Sequence, residues 1–251
     1  MRTLSLFLSL LLMSPALLSQ TTVSGVINSD QTWSKVNSPY IVEANVLVST
    51  DVTITIEAGV IIKFKDDTYL RIDGIIIAEG DQDNYIVFES FIDAADKGSW
   101  EGIKLRGTSN TVINEDNQYV SGTKISYVKI KHASKGIYTY DNTVFISKSS
   151  FENNDKAIEI RATNKVVLIE SKFKENNVGI YSEYSDYSSG DDVNVIANTF
   201  IQKNHFSNNS SGINLNMNQR VFKNLKIQNN LVEKKNTGLS FGGGGYGPRV
   251  A

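Results

Sequence analysis

The sequence contains no cysteine. That excludes a disulfide framework, a thiolate metal site, a cysteine nucleophile and a lipid anchor on an N-terminal cysteine. Histidine is nearly absent too. With His132 and His205 alone, a multi-histidine metal site within one chain has too few ligands. The chain has three prolines, and 21% of its residues are charged, which argues against a disordered chain. Formal net charge is −2, so there is no basic excess of the kind that binds nucleic acid. After residue 13 no apolar run is long enough to span a bilayer.

What is present is short and repetitive. The first residues, MRTLSLFLSLLLMSPALLSQ, join one early positive charge, a brief apolar run and small residues. They read as a signal peptide over residues 1–19, cleaved after Ala16 or Ser19, and hence as a secreted or cell-surface protein. Residues 20–45 carry the turn clusters Asn28–Asp30 and Asn37–Pro39 and are expected to form an N-terminal cap. From Val46 onward, strand-sized runs rich in β-branched residues follow one another, among them TITI, VIIKF, IIIA and YIVF. The gaps are too short for crossover helices.

Between Lys135 and Gly242 one phrase recurs: KGIYTY, KAIEIR, VGIYSE, SGINLN and TGLSFG. Its small residues are Gly136, Ala157, Gly179, Gly212 and Gly238, at intervals of 21, 22, 33 and 26 residues. Six residues before the first four stand Ile130, Phe151, Phe173 and Phe206, and Leu231 stands one residue further back in the last copy. Such self-similarity indicates a solenoid, with residues 46–241 as a parallel coil. Alternation assigns three inward ladders. The first is Ile137, Ile158, Ile180, Ile213 and Leu239. The second consists of the phenylalanines, and the third of Ile125, Ile146, Leu168 and Ile201. The pairs Asn153–Asn154, Asn176–Asn177 and Asn208–Asn209 fall at turns, where asparagine tolerates left-handed backbone.

TITIEAGVIIKF, DGIIIAEG, YIVFES and SWEGIKLRG resemble the N-terminal coils of secreted bacterial right-handed parallel β-helix proteins of the pectate-lyase-like superfamily. Ala58 stands where the family's phrase carries proline. The resemblance covers Tyr40 to Leu105 by phrase and the rest by repeat. It implies an all-β, right-handed parallel β-helix and says little about chemistry.

Reading the phrase outward gives two columns. One holds Tyr138, Glu159, Tyr181 and Asn214, and the other Tyr140, Arg161, Glu183 and Asn216. Aromatic, amide, acidic and guanidinium groups on one flat ladder are the chemistry of sugar recognition. An ordinary mixed sheet surface accounts for the same residues. A polysaccharide or cell-surface glycan is therefore the expected partner, and the module is read as non-catalytic or surface-structural. The alternative is a lyase or glycoside hydrolase acting on an acidic polysaccharide. Its candidates are Glu159, Arg161 and Glu183, the two carboxylates lying on neighbouring copies about 8 Å apart along the sheet diagonal. A surface charge cluster explains the same three residues.

Residues 106–122 and the stretch from Tyr184 to Ile196 interrupt the rhythm. The second holds Asp186, Asp191 and Asp192, oxygen ligands that could take Ca²⁺, although no known calcium-loop spacing is present. Gly190-Asp191-Asp192 resembles one polygalacturonase motif, but that family's other motifs are missing and no catalytic residue carries over. The last residues, 242–251, read as a Gly-rich tail or a truncated coil, which would make the chain part of a longer surface protein.

Overall fold

The computed structural model describes residues 20–107, 111–140, 142–161, 163–182, 195–216, 221–233 and 237–242. They form a right-handed parallel β-helix. Each coil contributes three short strands, and each strand pairs in parallel with its counterpart one coil away. The first series runs through Asn142–Ser147, Thr163–Ile169 and Thr199–Gln202. The second runs through Ser150–Glu152, Lys172–Lys174 and His205–Ser207. The third runs through Ala133–Tyr140, Lys156–Ile160, Val178–Ser182 and Ser211–Asn216. Residues 20–45, expected as a cap, already carry the ladder: Thr21–Ile27 pairs in parallel with Tyr40–Val48, and Gln31–Trp33 pairs with Thr53–Ile56.

The core is the stack of inward ladders, buried as far as Ile213 and open at Leu239, which is 46% exposed. Ile137, Ile158, Ile180, Ile213 and Leu239 are in register, as are Ile125, Ile146, Leu168 and Ile201. The phenylalanine rings stack nearly parallel, with centroids 4.9 Å apart for Phe151–Phe173 and 4.5 Å for Phe173–Phe206. Those distances match the coil step of about 4.8 Å, so successive rings meet face to face without side-chain adjustment. Val232, not Leu231, continues this ladder, pairing with Phe206. The six-residue offset to Gly238 is thus unbroken, and Leu231 points out, 54% exposed. The small residue of the phrase also has a reason. A Cβ added at Gly136, Gly179 or Gly212 would meet a carbonyl oxygen of the next coil at 2.5–2.6 Å.

The corners are built from pairs of residues with separate tasks. A non-glycine residue at positive φ turns the chain at Lys148, Asn153, Glu170, Glu175, Lys203 and Asn208. The residue after it points inward and bonds along the stack. Asn154, Asn176 and Asn209 form one buried ladder: each amide donates to a backbone carbonyl, and those of Asn154 and Asn176 donate also to the next Oδ1. Asn176 therefore lies inside while Glu175 adopts the left-handed backbone, so the Asn176–Asn177 pair is not the turn unit. A second ladder at the other corner runs Ser149, Ser171, Asn204 and Asn230. Buried polar groups at both corners are satisfied by neighbouring coils.

Candidate functional site

The three outer faces differ. On the first series, Phe145 and Val167 point outward yet are buried. The interruption after Arg106 explains this, because Val112–Ile113 and Tyr119–Ser121 pair as an antiparallel hairpin over that face. The Tyr119 ring lies 5.8 Å from Phe145, and Lys165 Nζ donates to the Asn114 carbonyl at 2.9 Å. The second series carries an outward column that alternates in sign: Lys63, Glu89, Lys131, Glu152, Lys174. Lys131 reaches Glu89 at 3.3 Å and Lys129 reaches Glu152 at 3.8 Å, so charges on this face pair across neighbouring strands.

The third series is different. Arg71, Lys104, Tyr138, Glu159, Tyr181 and Asn214 stand in one register column. Lys135 and Lys156 share another, and Arg106 is opposite Tyr140. Cations on these strands outnumber the carboxylates paired with them, which are Asp73 to Arg71, Glu101 to Lys104, and Glu159. The cations also lie on rings: Lys104 is 3.9 Å from the Tyr69 centroid, Lys156 is 4.5 Å from Tyr181, and Arg106 and Arg161 are each 5.6 Å from Tyr138.

Two expectations about the columns are corrected. Glu159 is outward in register but only 1% exposed, because three cations fold over it. Lys135 Nζ and Lys156 Nζ each lie 3.4 Å from Oε2, and Arg161 Nε donates to Oε1 at 2.9 Å. Burial, the largest single influence, raises its pKa, but the Lys135, Lys156 and Arg161 charges and the Arg161 hydrogen bond together leave it below the usual carboxylate range. Covered by Lys135, Lys156 and Arg161, the Glu159 carboxylate has no open path to a substrate oxygen, which disfavours it as a catalytic acid. Tyr138 is the second correction. It is 8% exposed, enclosed by Lys135, Arg106 and Arg161, and presents little ring surface.

Tyr140 is 43% exposed, while Tyr181 and Asn214 are half-buried. Asn216 pairs with Gly242 in the ladder. Glu183, Asp186, Asp191 and Asp192 lie outside the described residues, and so do residues 1–19, where the signal peptide is expected. Among the described residues no group of three or more His, Asp or Glu side chains could hold a metal ion. His132 occupies a left-handed corner, and His205 Nε2 lies 2.9 Å from Glu233 Oε2. Among the described residues no helix is long and apolar enough to cross a membrane.

Sequence reasoning missed Arg71, Lys104, Arg106, Lys135 and Lys156. For the last two a signal existed, since each lysine directly precedes the small residue of the phrase. The hairpin hides the others, because it lengthens one coil and breaks the period between Gly102 and Gly136.

The family model described as a right handed beta helix region matches residues 96–250, more than half of the chain. The chain belongs to that family. A second, described as a pectate-lyase like beta helix domain, matches residues 25–129. No curated protein and no solved structure matches the sequence. The two overlapping matches support a β-helix superfamily and fix no reaction.

The folded pKa of Glu159 is depressed, so its contribution to stability is present above the unfolded carboxylate value, about 4.3, and is lost as pH falls through the lower folded value. Wild type is expected to melt above Glu159→Gln at pH 7, with the gap narrowing as pH falls below the unfolded carboxylate value, about 4.3. Thermal melts of both proteins across pH 3–7 check this; a gap that does not narrow toward the acid end would contradict it.

Proposed function

We propose that this β-helix is a secreted or cell-surface, non-catalytic module that binds an acidic polysaccharide on the outer face of its third strand series. The observation that carries the reading is the contrast between faces: one is covered by the hairpin, one pairs its own charges, and the third holds cations beyond its paired carboxylates beside tyrosines. Guanidinium and ammonium groups suit carboxylates or sulfates, and ring faces suit pyranose C–H surfaces. Coils repeat at about 4.8 Å, so successive cations can meet successive anionic groups of an extended polymer. The reading assigns no metal or other cofactor. Export is supported by the apolar N-terminal stretch, and N-terminal sequencing of the protein recovered from culture medium tests it.

The test of binding is electrophoresis of the native protein in gels containing polygalacturonate, dextran sulfate or neutral dextran. Retardation is expected in the charged gels alone. Tyr140→Ala with Tyr181→Ala should weaken it by about tenfold, two aromatic contacts being lost. Wild-type migration unchanged in every gel would end this reading. The lyase or hydrolase alternative rests on the superfamily alone. Unsaturated product or new reducing ends from uronic-acid polymers, with or without Ca²⁺, would establish it instead.

A further inference from the structure

We propose that Glu159 is a built-in substitute for the ligand's anion: it occupies the anion position of the third face and lowers the affinity of that face for polyanions. The inference rests on the reading that this face binds an acidic polysaccharide. Three donors from three places converge on one carboxylate. Lys135 comes from the preceding coil at 3.4 Å, Lys156 from Glu159's own strand at 3.4 Å, and Arg161 from the end of that strand at 2.9 Å. These are the partners a uronate or sulfate would meet, arranged as for a bound anion. The register column sets Tyr181 one coil after Glu159, so one half-buried ring stands beside the anion along the ligand's path, while Tyr138, one coil before it, is covered by the same cations.

A carboxylate at an outward position would ordinarily stand in water. This one is buried because the lysine and arginine stems lie across it rather than extending outward. The arrangement stabilises the fold, since like charges on adjacent coils are held together by the anion between them. It also costs affinity. An incoming anion must draw Lys135, Lys156 and Arg161 away from an established partner while approaching a fixed negative charge. Stability and binding therefore oppose each other at one residue.

The experiment compares wild type, Glu159→Gln and Glu159→Asp in polygalacturonate gels at low and at 150 mM salt. Glu159→Gln is expected to bind about threefold to fivefold more tightly at low salt, from one unit of charge removed at contact distance. The gain should shrink at 150 mM salt. Glu159→Asp, which keeps the charge, should stay near wild type. Equal or weaker binding by folded Glu159→Gln overturns the proposal while leaving glycan binding intact. If neither wild type nor Glu159→Gln is retarded, both readings fall; if Glu159→Gln alone is retarded, the substitution of ligand by Glu159 stands. A second measurement needs no variant. Carboxyl NMR titration of Glu159 should move to higher pH when a galacturonate oligomer saturates the wild-type protein, because the cations turn to the ligand. An unmoved midpoint in the saturated complex overturns the proposal.

Discussion

Phe173→Ala is expected to destabilise the protein by about 3–5 kcal/mol, the range for removing a fully buried aromatic side chain. Phe173 is the middle ring of the stack, with Phe151 on one side at 4.9 Å and Phe206 on the other at 4.5 Å. Its removal forfeits both ring contacts and leaves a cavity bounded by flat faces. The backbone there is fixed by parallel pairing to both neighbouring coils, so the walls cannot close in. Because a solenoid's stability is built from nearest-neighbour interfaces, the loss should be local first. Urea unfolding measures the magnitude. Amide exchange should show lost protection over residues 150–152, 172–174 and 205–207, with less change near Thr53–Ile56. A loss below about 1 kcal/mol would mean that the coils close over the gap.

Asn176→Ala should cost about 2–4 kcal/mol, through a different mechanism. The Asn176 side chain donates to the Phe151 carbonyl and to Asn209 Oδ1, both at 2.9 Å. Its own Oδ1 accepts from the Asn154 backbone N–H and from Asn154 Nδ2, again at 2.9 Å. Alanine removes the middle of the ladder and strands donors and an acceptor in a corner that water does not reach. The adjacent residue is the control. Asn177 is exposed and bonds Asp155 Oδ1 at the surface, so Asn177→Ala should stay within about 0.5 kcal/mol of wild type. Similar losses for the two asparagines, read from urea unfolding, would show that the buried ladder is not what holds this corner.

Both predictions fall on residues visible in the repeat, but for different reasons. The phenylalanine column needed only its six-residue offset from Gly136, Ala157, Gly179 and Gly212. The asparagines were recognisable as corner residues, yet their division of labour was not. At Asn153–Asn154 and Asn208–Asn209 the left-handed residue and the inward residue are both asparagine, so the pair looks like a unit. At the coil between them the left-handed residue is Glu175, and the ladder residue is Asn176. No propensity marks a glutamate for positive φ. The inward hydrogen bonds of Asn176 over-determine the corner and impose it. The second corner was harder still to read, since Ser149 and Ser171 give way to Asn204 and Asn230, and only register joins them.

The sequence by itself determined the solenoid. Period-two alternation inside a repeat of 21 or 22 residues leaves one way to bury three apolar columns at once, and neighbouring coils supply every strand's partner. It also determined the inward isoleucine and phenylalanine columns of the regular coils, because those depend on backbone alternation alone, while register moved the anchor of the last coil from Leu231 to Val232. What an outward position does was decided by tertiary structure. Tyr138 and Glu159 alternate outward as expected, yet they are covered, because Arg106, Lys135, Lys156 and Arg161 come from other coils or other columns and fold over them. Long cationic side chains reach several ångströms, about the spacing of one coil, so whether an outward carboxylate meets solvent or a counter-ion depends on its neighbours across the sheet. The same holds for whole faces. The hairpin after Arg106 covers one, alternating charges close another, and only the assembled β-helix sets the cations and tyrosines of the third side by side.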